Sequence, residues 1–371
     1  MRRWILCWIT VFVVALSAGC ADRSNVEDIT FSMLIGIDLD DQDRLVFSLS
    51  SPVFSKEAKD KEEEYVVHTK TLRMSREEFD RTVGGTTVGA KAQVILLGKR
   101  VLQHEGWFKL LDPLYRDVKN TVQTSVVLVD GTVSDIVSFQ PTDKERLPLY
   151  MSKLIRTAHK RNITVLTTLQ ELHRQMFEKG MTPSLTVLRK DGYLKVMGTA
   201  LLEKDGRYLL SLSSAENKLL TILSPHPKGE FPLMIKLPSQ PDTSIFNYDR
   251  LSFNTTGIST KTKVSYTESK FKFDLNVKLK IALTEMPFLF DVRRDAQLLE
   301  QEIEQELEDQ FARLIKKIQT AKIDPAGLGL YARAKQYQHW KPVQDQWGEA
   351  FARSDVNVEV KVKIMAMGAI K

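Results

Sequence analysis

The stretch Phe271-Lys272-Phe273-Asp274-Leu275-Asn276-Val277-Lys278-Leu279-Lys280-Ile281-Ala282-Leu283 puts an apolar side chain at every second position. Period two is the signature of a strand with one buried and one wet face. Val356, Val358, Val360, Val362 and Ile364 repeat it near the C-terminus. Between the two, Leu299, Ile303, Leu307, Phe311, Leu314 and Ile318 recur at steps of three and four, so the spacing predicts a helix from about Val292 to Ala321. Its acids come first (Glu300, Glu302, Glu304, Glu306, Glu308) and its bases last (Arg313, Lys316, Lys317, Lys322), which complements the helix dipole. Asp324-Pro325 and Gly327 end it. A single apolar stripe between half-wet strands predicts a helix lying on a sheet rather than a coiled-coil seam. Tyr331, Tyr337, Trp340, Trp347 and Phe351, gathered around Pro342, read as core packing.

Working toward the N-terminus, Ser184–Leu188, Tyr193–Leu202 and Arg207–Leu212 are three strands separated by Asp191-Gly192 and Asp205-Gly206, residues that suit tight hairpins. Leu149 to Arg161 has helical spacing, and Thr167-Thr168 caps a second helix that stops at Gly180. Further back, strands are predicted over Ile29–Asp38, Leu45–Ser51, Tyr65–Thr71, Gln93–Gly98 and Thr121–Val129. Ser75-Arg76-Glu77-Glu78 reads as a capping box opening a helix. Further helices are predicted over Glu105–Tyr115 and Gly131–Phe139. The charged run from Lys56 to Glu64 has no apolar stripe and is expected to be a loop.

Several motifs resemble known sites and fail on spacing. Asp38, Asp40, Asp41 and Asp43 suggest a calcium loop, but Asp43 and Leu49 stand where glycine and glutamate are required. Gly84 to Lys91 lacks the lysine directly after its last glycine that a phosphate loop needs. His104-Glu105 has no second histidine at position 108, which is Phe108. The histidines, His68, His104, His159, His173, His226 and His339, are scattered without ligand spacing, and no serine sits in a nucleophile elbow. No metal or other cofactor is expected. A binding or assembly protein is favoured over an enzyme.

The N-terminus fixes the compartment. Arg2 and Arg3 precede an apolar run from Trp4 to Leu16, and Leu16-Ser17-Ala18-Gly19-Cys20 then supplies small residues and a cysteine. The run is shorter than the ~20 residues needed to span a bilayer, so residues 1–19 read as a lipoprotein signal peptide and Cys20 as the lipidated first residue. Cys7 and Cys20 are the chain's two cysteines, so the mature chain can form no internal disulfide. The formal net charge of +6 over 371 residues is a modest excess. It argues against a nucleic-acid partner and suits a body held near anionic lipid.

Taken in order, these pieces resemble the Ger(x)C lipoproteins, the C subunits of the nutrient germinant receptors of spore-forming bacteria. The resemblance rests on Gly19-Cys20, Gly36-Ile37-Asp38, Val94-Ile95-Leu96-Leu97-Gly98, Gly198-Thr199-Ala200, Trp340 and Trp347. The closing Val358-x-Val360-x-Val362-x-Ile364 with Gly368 completes it. The chain departs at Ala21, where the family often has tryptophan, and at the glycine-rich Gly84 to Gly89. The resemblance implies a non-enzymatic subunit, lipid-anchored to the outer face of the spore inner membrane. It would assemble with two integral membrane subunits, of A and B type, and with another germination lipoprotein as a further candidate partner, in nutrient-triggered germination. It implies an α+β fold of three mixed domains, each a small, mainly antiparallel sheet with flanking helices. The last would hold long antiparallel strands and the long amphipathic helix. With the signal at 1–19, the expected domains are 20–145, 146–213 and 214–371. Cys20 is the one site residue that carries over. The alternative is a solute-binding lipoprotein of a transporter, which predicts alternating strand-helix units in two parallel-sheet lobes.

Overall fold

The computed structural model describes residues 3–5, 8, 25, 28–54, 57–224, 227–237, 249–288 and 290–367. Cys20, Ala21, His226 and Gly368 lie outside the described residues. The fold is α+β, with several sheets and flanking helices.

The first two thirds contribute β1 (Ile29–Phe31), β2 (Leu34–Leu39), β3 (Leu45–Pro52), β4 (Glu62–His68), α1 (Leu72–Asp80), β5 (Thr86–Val88), β6 (Val94–Gly98) and β7 (Ser125–Val129). There follow α2 (Val133–Val137), α3 (Leu147–Lys160), α4 (Leu169–Phe177), β8 (Ser184–Asp191), β9 (Tyr193–Leu202) and β10 (Tyr208–Leu212). Eight of these strands make one sheet in the order β10-β9-β8-β7-β6-β2-β3-β4. Pairing is parallel at its centre, from β2 through β6 and β7 to β8, and antiparallel toward both edges. β2, β6 and β7 are buried at every position. Such strands read as unbroken apolar runs because both faces are covered. Met151 and Ile155 of α3 pack on one face with Val94, Leu96 and Val127. Trp107, Leu111 and Leu172 pack on the other with Ile95, Leu97 and Val126. The expected boundary at 145/146 falls between β7 and β8, which are hydrogen-bonded neighbours in this sheet.

Four local readings change. The loop expected from Lys56 to Glu64 gives way to β4 at Glu62, because Glu62, Glu63 and Glu64 pair with Pro52, Ser51 and Ser50 of β3. The apolar run Ile29–Asp38 is two strands, because the chain changes partner at Ser32-Met33: Ser32 N–H donates to Val88 and Met33 N–H to Ser50. β1 thus pairs in parallel with β5 in a separate two-stranded sheet. α1 begins a turn earlier than the Ser75 box, with Thr71 Oγ1 accepting from Met74 N–H at 3.2 Å. Ser75 is instead buried inside the helix, its hydroxyl donating to Leu72 O. The helix expected over 105–115 is a tight 3-10 stretch, Trp107–Leu111, followed by a short helix with Pro113 in its first turn.

The last third adds α5 (Ser214–Ile222), β11 (Pro232–Lys236), β12 (Arg250–Thr267), β13 (Lys270–Glu285), α6 (Val292–Thr320), α7 (Leu328–Lys335), α8 (Trp347–Ala352) and β14 (Asp355–Ala366). Its sheet has the order β11-β12-β13-β14. The long antiparallel pair is β12–β13, turned by Glu268 and Ser269, both at positive φ. β14 joins β13 in parallel, with α6 as the crossover between them. All six stripe residues of α6 are buried against the Phe271–Leu283 face, so the helix covers a sheet as the spacing predicts. On its flank Glu300, Glu304 and Glu308 accept the backbone N–H groups of Ile364, Val362 and Val360, each at 2.8 Å.

The two large sheets meet through buried polar contacts. Thr199 Oγ1 donates to Asn217 Oδ1 at 2.7 Å, Asn217 Nδ2 donates to Asn162 O, and Asn162 Nδ2 donates to the carbonyls of Lys228 and Glu230. At the surface Arg333 pairs with Glu178 at 2.7 Å across the same junction, and within the last third Lys317 pairs with Glu216 at 2.6 Å.

Candidate interaction site

A concavity lies beside the β1–β5 pair, close to the first described strands. It is a cleft of about 870 Å³ between α1, β5 and residues 112–120, within the size range of small-molecule sites. Ile35, Leu49, Leu72, Phe79 and Leu114 supply apolar lining, and Arg73, Arg76, Asp112, Arg116 and Asp117 supply its charge. The strand pair is held to α1 by Asp80, whose carboxylate accepts Thr87 N–H at 2.7 Å.

The charges in the cleft largely satisfy one another. Arg76 meets Asp117 at 2.9 Å and Arg116 meets Asp112 at 2.7 Å. The Lys119 backbone N–H, and then Arg76, hold the Asp117 carboxyl below the ordinary aspartate range. A carboxylate so stabilised is a poor proton acceptor. The cleft therefore presents an apolar lining bordered by paired charges.

The motif residues are occupied with structure. Asp38 is buried, and its two oxygens accept Leu39 N–H and Val133 N–H, the latter at the start of α2. A Cβ on Gly98 would lie 1.9 Å from Asp38 Oδ1, so glycine is required there. Asp40 accepts from the Gln42 and Arg44 backbones and from the Arg44 side chain, closing the β2–β3 turn. The aspartates thus make a hairpin rather than a calcium loop. Gly198 sits at φ 144°, and a Cβ there would fall 2.1 Å from Leu212 O. Trp347 Nε1 donates to Asp324 Oδ2 at 2.9 Å, and Gly329 N–H donates to the same oxygen at 2.7 Å, fixing the start of α7. Asp324 is fully buried, and burial pushes its carboxyl up to about 6.

Three of the histidines are held by rings and carbonyls, and His68 lies 3.6 Å from the Asp40 carboxylate. His339 stacks on Tyr266 at 4.0 Å, His173 packs against Phe177 and Tyr115, and His159 Nδ1 lies 3.3 Å from Thr164 O. Among the described residues no group of three or more His, Cys, Asp or Glu is placed to hold a metal, and no helix is long and apolar enough to cross a membrane. Cys20, the expected lipidation site, lies outside the described residues. The cleft escaped sequence reading because its charges come from two segments some forty residues apart, Arg76 and Asp117, with no local spacing to link them.

Comparison with known proteins also divides the chain in two, but at a different place from the sheets. Residues 22–190 match the family model described as spore germination protein N-terminal domain. Residues 197–368 match the model described as spore germination B3/GerAC like, C-terminal. The join falls within the β8–β9 hairpin, between Lys190 near the end of β8 and Met197 within β9, and so cuts across the eight-stranded sheet. Among solved structures, the crystal structure of the GerBC protein superposes with a TM-score of 0.55 at 17% identity, covering 89% of this chain and 96% of that one. No curated protein sequence matches the chain.

Proposed function

The chain belongs to the spore germination B3/GerAC-like family of germinant receptor C subunits, and we propose on that premise that it is the lipid-anchored subunit of such a receptor. In this reading Cys20 carries the acyl chains and the body lies on the outer face of the spore inner membrane. It acts by contact with two integral membrane subunits of A and B type in nutrient-triggered germination. It has no catalytic step of its own.

The observation that carries the reading is the ordered match of both family models across residues 22–368, on a fold shared with GerBC. The paired charges of the cleft and the structural use of Asp38 and Asp324 support a role in contact rather than chemistry. From Cys20 to Asp28 the chain can reach at most about 30 Å, so a tether at Cys20 would keep the first strands close to the bilayer. The solute-binding alternative finds less support. It calls for two parallel-sheet lobes, whereas the last third is built on a long antiparallel hairpin.

The test is Cys20→Ala in the spore former. The variant should fold, leave the membrane fraction, and respond poorly to nutrients, while the parent chain co-purifies with its membrane subunits from detergent extracts. Full membrane retention with normal germination would overturn the proposal.

A further inference from the structure

The β11–β14 sheet has two faces, and α6 covers one of them. The other carries Lys261 and Lys263 on β12, Lys278 and Lys280 on β13, and Lys361 and Lys363 on β14, all exposed. The register sets Lys278 beside Lys361 and Lys280 beside Lys363 on successive rungs of that face. Their β12 neighbours are Ser259 and Gly257, just past a bulge between Thr255 and Gly257. With no side chain at Gly257 and only a hydroxyl at Ser259, the four lysines border a depression of about 570 Å³.

Like charges directly opposed across a ladder destabilise a sheet. Here they are only partly offset. Lys361 and Lys363 reach around the edge to Glu304 and Glu300 at 3.4 and 3.3 Å, and Lys361 lies 4.0 Å from Glu359. Asp274 and Glu359 are the acids standing among the six lysines. No ion pair joins Lys278 or Lys280 to a carboxylate among the described residues.

We infer that this lysine face docks on an anionic lipid surface. The cations in the block are all lysine, compact point charges on flexible stems that suit a fluid layer of headgroups, whereas arginine is favoured for fixed bidentate partners. Protein interfaces are depleted in lysine and enriched in aromatics, and no aromatic side chain lies on this face between Lys261 and Lys280 in the β12–β13 register. Juxtamembrane lysines gain about 1 kcal/mol each near such a surface. The inference takes from the proposed function only that the chain lies beside a membrane. It adds the face that touches it.

The test uses residues 20–371 made without the signal segment and therefore without acyl chains; residues 28–367 hold every strand of both large sheets with their covering helices. Co-sedimentation is measured with vesicles of phosphatidylcholine alone and of phosphatidylcholine with phosphatidylglycerol. Binding is expected for the anionic vesicles only, and is lost as salt rises from 0.1 M to about 1 M and the screening length falls to about 3 Å. Lys278→Gln with Lys280→Gln should weaken it about 30-fold, at about fivefold per lysine. Lys335→Gln with Lys341→Gln, two exposed cations elsewhere, should leave it nearly unchanged, and melting curves confirm that each variant is folded. Equal binding to neutral vesicles, or an equal loss in the control pair, would overturn the inference. So would no vesicle binding combined with weaker co-purification of the membrane subunits, which would assign the face to an acidic protein. Because the assay needs no acyl group, its outcome is independent of the Cys20→Ala result.

Discussion

Removing one carboxylate from α6 should open the edge of a sheet. Four residues of helix rise about 6.0 Å and two residues of strand about 6.6 Å, so glutamates one turn apart can follow alternate N–H groups of a strand beside them. Glu300, Glu304 and Glu308 do this with Ile364, Val362 and Val360. β14 is the last strand of its sheet, and without these acceptors its outward N–H groups would be a template for another strand. Glu304→Ala leaves the Val362 N–H, on a residue only 6% exposed, without its acceptor. A hydrogen bond to a charged group contributes about 1.5–3 kcal/mol, so the variant should lose about 2 kcal/mol. Loss of the Lys361 ion pair adds little, since that lysine side chain is 58% exposed and such pairs contribute about 0–1 kcal/mol. Glu304→Gln keeps a carbonyl oxygen in place and should lose about 1 kcal/mol or less.

Urea unfolding followed by the fluorescence of Trp340 and Trp347, both in the core that α6 covers, measures the loss. Amide exchange locates it. Where local opening governs exchange, Val362 should exchange about 30-fold faster in Glu304→Ala, with little change on β12. Unaltered protection at Val362 would refute the reasoning. So would a Gln variant as damaged as the Ala variant, because charge along the helix and not the acceptor would then be the source of stability.

Two further outcomes follow from buried positions. Asp324 has a carboxyl raised from 3.8 to about 6 by burial, so the unfolded chain ionises first and the fold loses stability as pH rises from about 4 to about 6, by about 3 kcal/mol. Urea titrations at both ends of that window should show the slope in the parent chain and its absence in Asp324→Asn; equal slopes would dismiss the assignment. Gly198→Ala forces a Cβ against Leu212 O at a φ that favours glycine, and thermal unfolding should report a loss of about 3 kcal/mol from overpacking and backbone strain.

What the sequence made legible was whatever one element declares by its own period. β13, β14 and α6 were readable residue by residue because each has one wet side. β12 was not, although it is 18 residues long. Its inward positions are Leu251 and Phe253 before the bulge and Ile258, Val264 and Tyr266 after it, so the apolar phase changes from odd to even numbers partway along. Threonines at 260 and 262 complete the inward face and weaken the signal further. The β7–β8 pairing was equally hidden, since a parallel neighbour arrives only after a long crossover and no local residue announces it. The glutamate ladder was visible as a row of acids, but its spacing of four fits a dipole reading as well as an edge strand; only the register decides between them.

Several of the described residues that carry the family resemblance help to hold the fold. Asp38 fits against Gly98 and caps α2; Thr199 ties Thr164 to Asn217; Trp347 binds the carboxylate that starts α7. None of these side chains is more than 8% exposed, so none can meet a partner. At 17% identity the likeness to GerBC is one of fold, and the fold-holding residues of this chain leave its exposed surface free of that duty. Under the proposed function, partner choice would then fall to exposed positions that no motif marks, outside the lysine face inferred to meet lipid. Exchanging exposed residues between two family members on unchanged cores should transfer partner preference, whereas exchanging the buried motif residues should alter stability alone.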